Sequence, residues 1–178
     1  MILTGNEIIS RHQGGELFIE PFSAEQVNPN SYDLRLGSTL LSYRETIIDV
    51  KSPAAYELVQ IPPKGIVLEK DKFYLGSSQE IVGSTHFVPI LHAKSGIARL
   101  GLFVHITADL IDIGSMGQIT FQLLPTMNIR VFSGMRIAQM SFWQTKGVIK
   151  LYQGKYQNSS GPQPSRIYES WQPNEGDR

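Results

Sequence analysis

The chain has 178 residues, 41% hydrophobic and 18% charged, which suits one domain with a packed core and excludes a disordered chain. Lys plus Arg equals Asp plus Glu at 16 each; this balance excludes a protein that coats a nucleic-acid polymer through a basic surplus, while leaving room for a local basic pocket. The absence of cysteine excludes a disulfide framework, and also a zinc site whose activated water depends on a Pro-Cys-x-x-Cys pair.

The first predicted element is a short helix in "TGNEIISRHQGG". Thr4 and Glu7 have the spacing of a capping box, and Gly14 and Gly15 end the segment. The chain then turns to strands. "GELFIEPF" and "SYDLRLGSTLLSY" alternate apolar with polar residues, the pattern of a strand with one buried face. "GIVLEKDKFYLGSS" predicts two short strands about a polar turn. "AKSGIARLG" breaks the pattern and predicts a helical turn capped by Ser95 and closed by Gly101. Free backbone N–H groups converge at such a start, so with Lys94 and Arg99 close by it reads either as an anion site or as an ordinary cap. "QITFQLLPTMNIRVFSGMRIAQMSFW" reads as strand, turn, strand, Gly turn, strand. "QITFQLL" and "GMRIAQMSFW" are apolar enough to need cover on more than one side. Ten prolines and 16 glycines between short apolar runs suit a β-sandwich or barrel.

The ending "GKYQNSSGPQPSRIYESWQPNEGDR" is polar, with Lys155 and Arg166 as basic residues. Ends of this composition are mostly mobile, but Tyr156, Tyr168 and Trp171 point to a segment that folds over a ligand or a neighbouring subunit. The histidines, His12, His86, His92 and His105, have no metal-ligand spacing, so no zinc is expected. The start "MILTGNEIIS" lacks the basic flank and apolar run of a signal peptide. No stretch approaches the roughly 20 apolar residues of a membrane span. A cytoplasmic protein without a membrane partner is the expectation.

Six stretches, "MILTGNEI", "IEPF", "NSYDLRLG", "AKSGIARLGLFVHITADLIDIGSMGQIT", "FSGMRIAQMSF" and "GKYQNSSGPQPSRIY", resemble in order the dCTP deaminase family, relatives of the trimeric dUTPases. The ending is most similar to the bifunctional branch, which converts dCTP to dUMP. The resemblance implies a mainly β fold: a distorted, dUTPase-like β-barrel with a short N-terminal helix and one short internal helix. The barrel would occupy residues 1–155, and residues 156–178 would form a lid over the nucleotide. It also implies a homotrimer with sites between subunits. Lys94, Ser95 and Arg99 would then meet the triphosphate, joined by Tyr152, Lys155 and the tail through Arg166. Asp112 would hold the deoxyribose 3′-hydroxyl and help position water, Ala108 would face the pyrimidine, and Mg²⁺ would ride on the phosphates.

Three positions depart from the family pattern. Gln122 stands at the catalytic glutamate, Gly96 at the second serine of a Ser-Ser pair, and Ser159 at a glutamine that helps read the base. Leu110 replaces an arginine of the monofunctional enzymes, but the bifunctional branch is apolar there. Deamination at cytosine C4 needs a group that takes a proton from water and returns it to the leaving ammonia. A glutamine amide hydrogen-bonds water but does not deprotonate it, and loss of general-base work costs about 10²–10⁴-fold. Diphosphate release asks instead for held phosphates, a metal and a placed water. The reading is therefore a pyrimidine deoxynucleoside triphosphate hydrolase, acting on dUTP or a related nucleotide. The alternatives are a dCTP deaminase using another base, a non-catalytic nucleotide-binding homologue, or a variant inactivated by Glu-to-Gln exchange. Asp109, a new acid nearby, would on a regular strand point away from the side bearing Ala108, Leu110 and Asp112, and reads mainly as a solvated charge.

Overall fold

The computed structural model describes residues 1–171. Helix α1 spans Gly5–Gln13, buries Ile8, and stops at Gly14 followed by Gly15 at φ +76°. The capping box does not form. Thr4 is the N-cap residue but its side chain makes no cap hydrogen bond. Glu7 pairs instead with Arg11 one turn on, at 2.6 Å, and Arg11 also meets Glu16 at 2.7 Å. A charged partner at i+4 competes with the backbone N–H for the Glu7 carboxylate and wins.

The strands are β1 (Leu17–Glu20), β2 (Val27–Asn28), β3 (Ser31–Arg35), β4 (Thr39–Tyr43), β5 (Tyr56–Gln60), β6 (Ile66–Leu68), β7 (Tyr74–Ser84), β8 (Phe87–Ala93), β9 (Leu102–Phe103), β10 (Met116–Pro125), β11 (Ile129–Val131) and β12 (Arg136–Gln144). One sheet runs β5-β4-β7-β10-β9 with β1 also on β7; a second runs β2-β3-β12-β8; β6 pairs with β11. All paired strands are antiparallel. The chain is thus mainly β with two α-helices, as expected, but the sheets do not close into one hydrogen-bonded barrel. They share a single core in which Ile19, Tyr32, Leu34, Phe121 and Phe142 are fully buried. Each such side chain contributes about 1.5–3 kcal/mol relative to exposure.

β1 alternates buried and exposed as predicted. β3 and β4 do not: four of the five β3 residues are buried. Tyr32 and Leu34 face the core, while the opposite face is covered by polar partners. Ser31 Oγ donates to Gln139 at 3.1 Å, and the Asp33 carboxylate accepts from Asn28 at 2.7 Å and Lys94 Nζ at 2.6 Å. The two strands predicted in "GIVLEKDKFYLGSS" exist, but β6 and β7 do not pair with each other, and β7 is long because it carries β1, β4 and β10.

On β7, facing β3, Glu80 is fully buried. It accepts from Arg35 Nε at 2.6 Å, from the Arg35 backbone N–H at 2.9 Å and from Gln26 Nε2 at 3.0 Å. A buried carboxylate persists only when its lone pairs are met in this way.

The predicted internal helix is α2, Ser95–Ala98. Its N-cap is Lys94 rather than Ser95, and no side chain caps it. Gly101 closes the turn at φ +78°.

Candidate functional site

β10 is irregular. Its register on β7 shifts between Gln118 and Thr120, and the freed Ile119 N–H donates to Ser78 Oγ at 2.8 Å. A regular strand sends alternate residues to opposite faces. Three β7 residues, 78–80, stand opposite the single residue Ile119, and a bulge of this kind re-aims the side chains around it. Here Gln118, Ile119, Thr120 and Gln122 all line one cavity of about 500 Å³, while Phe121 stays in the core. That volume lies in the range of small-molecule sites, about 300–1,000 Å³.

The segment after β9 forms a second wall. It hangs on β8 by a single bridge at Leu110: Leu91 N–H donates to the Asp109 carbonyl at 2.9 Å and Ile111 N–H to the Pro89 carbonyl at 3.1 Å. With no continuous ladder there is no two-residue alternation. Ala108 and Ile111 line the cavity, whereas Asp109, Leu110 and Asp112 are exposed and do not. Ala108, itself exposed, lines the cavity, while Leu110 and Asp112, two and four residues on, do not. Asp112 stands beside the cavity, flanked by the lining residues Ile111 and Ser115.

The C-terminal segment is the third wall, docked on the free edge of β10. Ser159 forms a parallel bridge to Gly117; Asn158 N–H donates to the Met116 carbonyl at 2.7 Å, and Gln118 N–H to the Ser159 carbonyl at 2.8 Å. Beyond it, Gly161, Gln163 and Ser165 N–H groups donate to Gln118 Oε1 (2.6 Å), Thr120 Oγ1 (3.1 Å) and Tyr43 OH (2.9 Å). A clasp ends the segment. Arg166 makes a two-pronged pair with Glu169 at 2.7 and 2.9 Å and also donates to the Lys155 carbonyl, while Lys155 Nζ donates to the Arg166 carbonyl and Ser170 Oγ. The Arg166 hydrogen bonds hold the Glu169 carboxyl below its usual range, and Glu169 raises Arg166 in turn.

Of the residues singled out from sequence, Ala108, Gln122 and Ser159 meet in the cavity. The Ser159 hydroxyl is already used, donating to the Tyr156 carbonyl at 2.9 Å. Lys94, Ser95 and Arg99 do not line it. Lys94 is held by Asp33, while Ser95 and Arg99 are exposed on α2 and its end. A Cβ added at Gly96 would meet nothing within 4 Å, so packing does not demand glycine there. Tyr152 OH accepts from Tyr156 N–H at 3.2 Å, and Lys155 belongs to the clasp. His105, Gln118, Tyr43 and Gln163 also form the cavity wall, and sequence reasoning does not single them out. Of these only His105 carries a signal, an imidazole beside the "TADLID" stretch. No carboxylate lines the cavity. Among the described residues, no group of three or more His, Cys, Asp or Glu is placed to hold a metal ion, and no helix is long and apolar enough to cross a membrane.

A family profile described as dCTP deaminase-like matches residues 2–145. The chain belongs to the dCTP deaminase-like family. It is 42% identical over 173 residues to the "dCTP deaminase, dUMP-forming" of Clostridium botulinum, covering 97% of this chain and 99% of that one. It is also 42% identical, with the same coverage, to the protein of the same name from Leptospira biflexa. Among solved structures, the 2′-deoxycytidine 5′-triphosphate deaminase of Agrobacterium tumefaciens superposes with a TM-score of 0.64 at 26% identity, over 79% of this chain and 47% of that one. The profile match takes in every strand of this dCTP deaminase-like chain, and the matches over 173 residues extend across the C-terminal segment as well.

Proposed function

We propose that this protein binds a pyrimidine deoxynucleoside triphosphate and releases diphosphate from it, with dUTP or a related nucleotide as substrate and the cavity against β10 as the place where the base is read. The observation that carries the reading is the cavity wall, which offers the amide of Gln122 and no carboxylate. An amide cannot do the proton transfers of deamination, whereas diphosphate release needs none at the base. Asp112, an exposed carboxylate beside the cavity, is the residue to hold the 3′-hydroxyl and place the attacking water. Lys94, Ser95 and Arg99 are the triphosphate residues, with Tyr152 and Lys155 joining them as the segment from residue 156 closes as a lid.

Lys94, Ser95 and Arg99 do not line the cavity, which supports a site completed by a neighbouring subunit in a homotrimer. Exposed Leu100, Phe103, Ile106 and Leu110 support this, since they leave an apolar stretch beside the cavity for a partner copy to cover. Mg²⁺ would enter on the phosphates of the nucleotide. Once bound it would neutralise phosphate charge.

A second reading, dCTP deamination, is favoured by the names of the relatives at 42% identity. Incubation with dUTP and with dCTP plus Mg²⁺, followed by assay of ammonia and diphosphate, separates the two. Diphosphate without ammonia is the expected result. Ammonia from dCTP overturns the reading of Gln122. If the unmodified protein releases none, Gln122→Glu alone and with Ser159→Gln should restore ammonia release in increasing amounts.

A further inference from the structure

We propose that Gln122 and His105 form a base-reading pair matched to a 4-oxo pyrimidine, so that the cavity takes uracil in preference to cytosine. The inference rests on the reading that this cavity holds the base of a deoxynucleoside triphosphate.

The backbone N–H of Ile106 donates to Gln122 Oε1 at 3.3 Å. That bond orients the amide, because only the oxygen can accept. The Gln122 NH₂ group makes no hydrogen bond among the described residues and belongs to a side chain in the cavity wall. A glutamate here would give one oxygen to the same N–H and present its other oxygen, an acceptor, to the cavity. Glutamine presents a donor at that point.

His105 is the neighbour of Ile106 in sequence and also lines the cavity. Both of its ring nitrogens are buried without a hydrogen-bond partner. A buried polar atom left unmet costs about 1–3 kcal/mol, so this ring is a group awaiting a partner. A neutral imidazole offers one donor and one acceptor.

Several other polar groups in the wall are already engaged. Tyr43 OH, Gln118 Oε1 and Thr120 Oγ1 each accept a backbone N–H of the C-terminal segment, and Tyr156 OH accepts from Arg166 N–H. The Gln122 NH₂ and the His105 ring make no hydrogen bond among the described residues and are joined through Ile106, which makes them the pair to meet a base. Uracil presents the O4 acceptor beside the N3–H donor, which complements an amide NH₂ and an imidazole nitrogen. Cytosine presents an amino donor beside an N3 acceptor. Its amino group would confront the Gln122 NH₂, and one of the two would go unpaired. Sites that must leave a buried polar group unmet reject the wrong ligand strongly.

The test is equilibrium binding, by calorimetry, of the α,β-imido analogues of dUTP and dCTP, in which the bond to diphosphate does not break. The unmodified protein should bind the uracil analogue at least about tenfold tighter, a gap set by one unmet hydrogen bond. Gln122→Glu should reduce that ratio at least about tenfold, and His105→Leu should also shrink it. Equal affinity or a cytosine preference in the unmodified protein overturns the inference, as does a ratio unchanged in both variants. Failure to bind either analogue overturns it together with the reading beneath it. Diphosphate release from dUTP without any base preference overturns the inference alone.

Discussion

At the level of single residues, one substitution changes what a point in space offers. Gln122 keeps the hydrogen bond to Ile106 N–H that a carboxylate would make, and swaps only the remaining atom from acceptor to donor. Lys94 illustrates the opposite case: its charge is legible in sequence, but its partner is not. Asp33 lies 61 residues away and holds Lys94 at 2.6 Å, so any phosphate bound by Lys94 competes with a nearly buried carboxylate. Arg99 has no such competitor among the described residues, which makes it the stronger candidate for the proposed phosphate site. Arg99→Ala should weaken binding of a deoxynucleoside triphosphate about tenfold or more, in keeping with the roughly 1.5–3 kcal/mol of a hydrogen bond to a charged group. Binding of the matching nucleoside should hardly change. Equal losses for both ligands, read by calorimetry, would remove Arg99 from the phosphate site.

Among the elements, the C-terminal segment and β10 act together. Gly117 has φ +152°, and a Cβ there would come 2.7 Å from Ser159 N and 2.9 Å from its carbonyl oxygen. Gly117→Ala should therefore push the segment off the strand edge. The expected outcome is faster amide exchange over residues 158–165 with little change in β12, and weaker nucleotide binding because a cavity wall is lost. Retained protection of those amides would show that the docking tolerates a methyl group. The clasp adds a pH dependence. Arg166 depresses the Glu169 carboxyl in the folded chain. The stabilisation it provides is complete above the ordinary range of a glutamate carboxyl and is lost as pH falls through the lowered value. Amide NMR shifts of the turn Ile167–Glu169 should titrate with a midpoint below that ordinary range; a midpoint at the ordinary value would mean the pair is open in solution. In sequence the segment shows only as a polar tail with aromatics, because its order comes from hydrogen bonds to a strand 41 to 43 residues earlier.

For the whole molecule, β10 and β12 are indeed covered, but largely by their own chain: β12 lies between β3 and β8, and β10 between β7 and the C-terminal segment. The proposed trimer would draw on exposed apolar side chains elsewhere, among them Leu100, Phe103, Ile106 and Leu110. Light scattering should give a mass near three times the 19.9 kDa chain. Charged replacements at Phe103 and Leu110 should dissociate that assembly and abolish diphosphate release together. A stable monomer at micromolar concentration, or a dissociated variant that retains activity, would refute a site shared between copies.

The family, the mainly β character, α1, α2 and most strands are legible in the amino-acid order, because periodicity and turn residues are local signals that survive without the fold. The grouping of Ala108, Gln122 and Ser159 is legible too, through motifs carried by resemblance. Strands β5 and β8 are not: β5 is mostly exposed, and β8 holds Pro89, which weakens a strand pattern. Three features of the site appear only once the chain is folded. The register shift between β10 and β7 brings Gln118, Ile119, Thr120 and Gln122 to one cavity, Lys94 is held by Asp33, and His105 keeps two unmet nitrogens. Each depends on register and on contacts between distant segments, and a one-residue change of register reverses which face a side chain takes.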